Sequence, residues 1–250
     1  MPKIALASDC DDTLYFRNRQ PRIQPGDLRA IADFRRKGGI FGICTGRPYY
    51  GVLEAVENLV DFDFHICTSG AHLLDKNGNV LEKHLLPSDL VKKLWELGKT
   101  TSFMVVHANG RLYSPRPTSS FQIFTRTLED IPPGSEFFGV SVYTETPEKA
   151  AAMAASVNAE WQGCANAFHN QICMDVVAHD ASKGTALLQM KKNMGISLMA
   201  AIGDSYNDLS MLQAADISFA FPYSPAEVQS SAAYIVPTVE AALEILQHQG

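Results

Sequence analysis

Short, wholly apolar runs alternate with amphipathic stretches along the first third of the chain. Lys3-Ile4-Ala5-Leu6-Ala7-Ser8 has the pattern of a buried strand and breaks at Asp9-Cys10-Asp11-Asp12-Thr13 into polar, turn-prone sequence. Pro25-Gly26-Asp27 then opens a segment, Leu28 to Lys37, whose apolar residues recur at helical spacing. Its cations fall in the last turn before Gly38-Gly39, a helix stop. Ile40-Phe41-Gly42-Ile43-Cys44 predicts a second strand ending in Thr45-Gly46-Arg47-Pro48, and His65-Ile66-Cys67-Thr68 before Ser69-Gly70 a third. Strand, helix, strand in this order predicts a parallel sheet.

From about Leu85 the texture changes. A helix-like stretch over Leu90 to Leu97 gives way to strand-like pieces at Ser102 to Val106 and Arg111 to Tyr113, joined by an Asn109-Gly110 hairpin turn. Phe138 to Tyr143 predicts another strand, an Ala-rich helix follows Pro147, and Asn170-Gln171 predicts a hairpin turn into Ile172 to Val177. After Ser182-Lys183-Gly184 the first pattern returns: a helix over Thr185 to Lys192, a strand over Ser197 to Ile202, a polar turn, and a helix from Leu209. The expectation is an α/β fold: a Rossmann-like doubly wound parallel sheet core (residues 1–84 and 181–250) with an inserted α+β domain (85–180), the hinge pair lying near Leu85 and His179.

The chain has 250 residues, 46% of them hydrophobic and 19% charged, a globular composition that excludes disordered and fibrous classes. Lys plus Arg number 21 against 27 Asp plus Glu, a net charge of -6, so nucleic acid and anionic membrane are not expected partners. The five cysteines form neither a disulfide framework nor a Cys-x-x-Cys motif, which points to the reducing cytoplasm. No apolar run approaches the length of a membrane span, and the first apolar run is too short for a signal peptide.

Four clusters carry chemistry: Asp9-x-Asp11-x-Thr13, Thr45-Gly46-Arg47, Ser182-Lys183-Gly184 and Gly203-Asp204-Ser205-Tyr206-Asn207-Asp208. Three of them fall at the C-terminal ends of predicted parallel strands, where open α/β sheets place their ligands. An acid-rich loop facing hydroxyls and one lysine suits metal-assisted phosphoryl transfer. A carboxylate attacking a phosphoryl dianion must overcome repulsion of ~4 kcal/mol per charge pair at ~4 Å and an effective dielectric of ~20, which Mg²⁺ and a lysine offset. Mg²⁺ prefers hard oxygen ligands, so aspartates from Asp9-x-Asp11 plus Asp204 form a sensible set. No His-Glu-x-x-His motif occurs, and Gly98-Lys99-Thr100 lacks the first glycine of a phosphate-binding loop and reads as a helix terminus.

In order and spacing the four clusters resemble the motifs of the haloacid-dehalogenase-like phosphatases. With an insert between the second and third motifs, the chain most resembles the Cof-type sugar-phosphate phosphatases, whose α/β cap lies at that point. The resemblance spans nearly the whole chain, by motif in the core and by architecture alone in the cap. It implies that Asp9 is the nucleophile, forming an aspartyl-phosphate, and that Asp11 protonates the leaving oxygen and then activates water. It further implies that Thr45, Lys183 and Asn207 bind the phosphoryl group, with Gly46 and Arg47 in the same substrate-binding motif. Asp9, the backbone carbonyl of Asp11 and Asp204 would hold Mg²⁺. Asp208 would orient Lys183 or a metal-bound water, and Thr13 would support the loop.

This chain departs from the pattern in three places. Asp12 stands where Cof-type relatives usually carry Gly, Ser69 where an Asn-Gly pair is usual, and Phe219-Ala220-Phe221-Pro222-Tyr223-Ser224-Pro225 replaces a small, amide-rich stretch. The last two weaken any transfer of a particular sugar. His107, Asn109, His169 and Asn170, near the cap turns, are candidate substrate contacts. The reading is a phosphomonoester hydrolase for a small phosphorylated metabolite, working as a monomer or small homo-oligomer. A phosphotransferase or phosphomutase and a phospho-accepting signalling module are the alternatives.

Overall fold

The computed structural model describes residues 2–101, 103–118 and 122–248. Within it the chain divides into two compact units. One comprises the chain up to Arg47, Val52–Glu82 and the chain from Ser182 on; the other comprises Pro48–Gly51 and Lys83–Ala181.

The first unit is built on an eight-stranded sheet. Its centre is four parallel neighbours in the spatial order Leu198–Ile202, Ile4–Ser8, Ile40–Cys44, Phe64–Cys67. Ala5, Leu6 and Ala7 are all fully buried, so successive side chains on opposite faces are both covered, the condition for a parallel sheet. Ala5, Ala7, Phe64, Ile66 and Met199 pack in one cluster with Leu187 and Met190 of the helix Lys183–Met194. The helices Pro25–Arg36 and Val239–Gln247 pack together, and the buried Asp27 carboxylate accepts a hydrogen bond from the Glu240 amide at 2.8 Å, tying the two.

Four short strands missing from the sequence reading extend one edge or the other. Ile217–Ala220 and Tyr234–Ile235 lie beyond Leu198–Ile202, His72–Asp75 runs antiparallel to Phe64–Cys67, and Val80–Lys83 lies beyond His72–Asp75. At two to four residues they fall below the length at which periodicity carries a signal.

The second unit has a six-stranded sheet in which Ala165–Asn170, Cys173–Ala178, Phe137–Tyr143, Phe103–Ala108 and Arg111–Ser114 are antiparallel neighbours in that order. Ser102, where the sequence reading begins a strand, lies outside the described residues. Leu90, Leu94 and Trp95 of the helix Ser88–Gly98 and Ala154 and Val157 of the helix Pro147–Glu160 bury one face of the sheet with Met104, Val106, Val140 and Met174. Asn109 and Gly110 both take left-handed backbone, as the two-residue hairpin expected there demands. The other hairpin is offset by one: Asn170 pairs with Cys173, so the turn is Gln171-Ile172, with Gln171 in the left-handed region. Asn170 stays in the ladder because the pairing register, not the residue's turn preference, sets where the strand ends.

Candidate active site

Four loops emerge side by side from the C-terminal edge of the central strands. Asp9 follows Ile4–Ser8, Thr45 follows Ile40–Cys44, Thr68 follows Phe64–Cys67, and Gly203 follows Leu198–Ile202. Chain order reverses between the strands Ile4–Ser8 and Leu198–Ile202, so the Asp9 and Asp204 loops flank the crevice of a topological switch point.

The first loop is a tight turn. The Leu14 and Tyr15 amides donate to the Cys10 carbonyl, the Asp12 amide donates to the Tyr15 carbonyl, and Asp12 adopts φ 57. Asp tolerates this left-handed region better than most residues, which accounts for its standing in place of glycine. Tyr223, in the Phe219–Pro225 stretch singled out in the sequence, donates its hydroxyl to the Asp12 carbonyl at 2.6 Å. It thereby ties that loop to the Asp9–Thr13 turn.

Lys183 is the first residue of its helix, which Ser182 caps by accepting from the Thr185 amide. The side chain is 1% exposed, and its Nζ donates to Asp9 Oδ1 and Asp208 Oδ1, both at 2.6 Å. Burial alone would lower its pKa, but the Asp208 and Asp9 carboxylates outweigh that and raise it, so Lys183 is an ammonium. Gly70 makes this approach sterically open. It adopts φ +96, and a Cβ there would lie 2.1 Å from the Ser182 carbonyl oxygen. Thr68 and Ser69 before it also adopt positive φ, a run of left-handed residues that sequence reasoning missed because neither residue type advertises it.

Asp208 is the hub. Fully buried, it takes Lys183 on one oxygen and the Asp204 and Ser205 amides on the other, at 3.0 and 3.1 Å. It therefore fixes both the lysine and the Asp204 turn. Thr13 Oγ1 donates to Asp204 Oδ1 at 2.9 Å, joining the first loop to the last.

Carboxylate oxygens of Asp9, Asp204 and Asp208 lie within 4.8 Å of one another. One ammonium does not balance three acids, two of them buried and Asp204 half-buried. Burial, and next the neighbouring Asp208, push Asp204 up to about 7, and burial with Asp208 and Asp204 nearby raises Asp9 despite Lys183. A hard divalent cation fits this set: the donors are all oxygen and the cluster carries excess negative charge.

Asp11 sits apart from that cluster as a side chain. Arg47 grips its carboxylate with a two-pronged fork, Nε to Oδ2 and Nη2 to Oδ1, each at 2.7 Å, and lies 5.1 Å from the Tyr15 ring centre. Burial would lower the Arg47 pKa, but Asp11 overrides it, so the guanidinium stays charged. Thr45, buried, accepts from the Arg47 amide on its hydroxyl at 3.1 Å. Gly46 lies between them. Asn207, half-buried in the short turn Tyr206–Asp208, makes no side-chain hydrogen bond among the described residues.

Two of the candidate contacts in the second unit make hydrogen bonds within it. Asn109 bridges Ser135 and the Glu136 amide, and His107 is buried within the sheet, its Nε2 3.1 Å from Ser141 Oγ. The side chain of Asn170 lies outside the described residues.

An open α/β sheet with this acid, lysine and hydroxyl array at its switch point defines a class of phosphoryl-handling hydrolase folds. Residues 6–242 match the haloacid dehalogenase-like hydrolase family, and the chain belongs to it. It is 26% identical over 239 residues to the Bacillus subtilis 5-amino-6-(5-phospho-D-ribitylamino)uracil phosphatase, covering 93% of this chain and 89% of that protein. It is 24% identical over 261 residues to the Escherichia coli pyridoxal phosphate phosphatase, covering 92% of each. Among solved structures, a haloacid dehalogenase-like hydrolase from B. subtilis superposes with a TM-score of 0.84 at 19% identity, over 98% of this chain and 99% of that one. No helix among the described residues is long and apolar enough to cross a membrane.

Proposed function

We propose that this chain is a Mg²⁺-dependent phosphatase that hydrolyses a small phosphorylated metabolite, of the sugar-phosphate class, through an aspartyl-phosphate on Asp9. One observation carries the reading: a buried carboxylate held 2.6 Å from a buried ammonium, with a second acid two residues further along the same turn. The names of relatives that span most of the chain point the same way, and the phospho-D-ribityl group in one of them motivates the sugar class.

An Asp9 carboxylate oxygen attacks phosphorus as the bond from phosphorus to the ester oxygen breaks. Lys183, Thr45 and Asn207 hold the phosphoryl oxygens. Asp9, Asp204 and the Asp11 carbonyl would hold Mg²⁺, which when bound neutralises the charge that otherwise keeps two anions apart. Asp11 gives its proton to the departing oxygen and later accepts one from the water that cleaves the aspartyl-phosphate. In its fork with Arg47 both Asp11 carboxylate oxygens accept hydrogen bonds, an arrangement suited to the second task. The first requires the fork to open, with Arg47 passing to the phosphoryl group.

The test is phosphate release from p-nitrophenyl phosphate and a panel of sugar phosphates, with Mg²⁺ or EDTA, for the wild type beside Asp9→Asn. Metal-dependent release that falls by ~10⁴-fold or more in the variant is expected. Full activity in Asp9→Asn would remove Asp9 from the nucleophile role.

A further inference from the structure

Directly after the nucleophile turn, the stretch from Thr13 to Gly26 carries three arginines, Arg17, Arg19 and Arg22, and no acid, in a chain whose net charge is -6. The loop is closed on itself. The Phe16 amide donates to the Arg22 carbonyl at 2.8 Å and the Arg19 amide to the Phe16 carbonyl at 3.1 Å.

Its three guanidiniums are used differently. Arg22 is engaged, donating to the Tyr15 hydroxyl at 3.3 Å and lying 3.8 Å from Glu57. Arg19 is fixed by stacking, its guanidinium carbon 3.7 Å from the centre of the buried Phe16 ring, but it has no carboxylate partner among the described residues. Arg17, exposed, has none either. Stacking on an aromatic face orients a guanidinium while leaving its hydrogen-bonding edge open.

The loop leads straight on from the Asp9–Thr13 turn, whose Asp12 carbonyl accepts from the Tyr223 hydroxyl. Burial and the Asp204 carboxylate raise the pKa of that hydroxyl, and the Arg19 guanidinium opposes them. The cations deeper in the site are already committed, Lys183 to Asp9 and Asp208, and Arg47 to Asp11. Positive charge not cancelled by an acid of the protein therefore remains on Arg19 and Arg17.

We propose that the Phe16–Arg22 loop is a subsite for a second anionic group, a carboxylate or a further phosphate, on the organic part of the substrate, with Arg19 its oriented donor and Arg17 its auxiliary. This rests on the phosphatase reading and narrows it: the preferred substrate is a phosphomonoester that carries another anion.

The experiment compares 4-carboxyphenyl phosphate with 4-carbamoylphenyl phosphate, which match in shape and differ in one charge, for the wild type and an Arg17→Gln/Arg19→Gln double variant. Exposed ion pairs are each worth at most a few-fold, so the wild type should favour the carboxylated compound in kcat/KM by about five- to tenfold. That preference should shrink as salt is raised. In the double variant the ratio should fall to near one. A ratio near one in the wild type would overturn the proposal, as would a preference that survives in the double variant. Metal-dependent release from p-nitrophenyl phosphate, measured alongside, separates the two failures. If it is present while the ratio is flat, only the second-anion subsite falls; if no compound releases phosphate, the phosphatase reading falls and the subsite with it.

Discussion

The two units bury polar groups in opposite ways. At the edge of the parallel sheet, Lys183, Asp9 and Asp208 are buried together and joined by hydrogen bonds of 2.6 Å. In the antiparallel sheet of the second unit, a row across three neighbouring strands is assembled around a neutral imidazole. The Ser141 hydroxyl donates to Asp175, so His107 Nε2 is the donor to Ser141, and Nδ1 has no partner among the described residues. Burial pushes His107 down to about 4. Ions can be buried only where they are paired, whereas a lone titratable group gives up its charge. The first arrangement pairs its carboxylates with an ammonium; the second stores a pH-dependent stability.

The pairing is broken most severely by Lys183→Met. Two buried carboxylates lose their common counter-ion, at a cost of about 3–5 kcal/mol, and phosphate release disappears with it. Thermal unfolding monitored beside activity checks this, and an unchanged Tm would show that the ion cluster is not a stabilising element. In the second unit the sign is set by His107. Its folded value lies below the ordinary 6.5, so the unfolded chain binds the extra proton. Stability is fully present above about pH 6.5 and is lost as the pH falls toward about 4, by ~3 kcal/mol. Urea unfolding across that range should show the slope in the wild type and lose it in His107→Gln; equal slopes would deny the assignment.

A smaller effect sharpens the picture of the fork. Arg47→Lys keeps the charge but not the two-pronged geometry on Asp11. Phosphate release should fall about tenfold for alkyl phosphates, whose leaving oxygen needs a proton, and much less for p-nitrophenyl phosphate. Equal losses on both would mean that Arg47 does not act through Asp11.

Much of the candidate site's placement could be read from the chain because its pieces are short loops after short apolar strands, and a parallel sheet places such loops together. Asp9, Thr45, Lys183 and Asp204 converge for that reason. The partnerships were less visible. That Arg47 forks Asp11, that Asp208 caps the Asp204 turn while holding Lys183, and that Tyr223 anchors Asp12 are contacts between side chains or backbone groups brought together by folding. The left-handed run Thr68-Ser69-Gly70 was hidden because only its glycine signals such a conformation. In the second unit the helices and the Asn109-Gly110 turn were legible. The row around His107 was not, because it depends on which strands become neighbours.

The central claim is that Asp9 carries the phosphoryl group. Acid quenching during turnover, followed by proteolysis and mass mapping, tests it directly. The account predicts one phosphoryl group on the peptide containing Asp9, appearing and decaying at rates compatible with phosphate release. Steady phosphate release with no covalent phosphorylation of Asp9 at any quench time would contradict it.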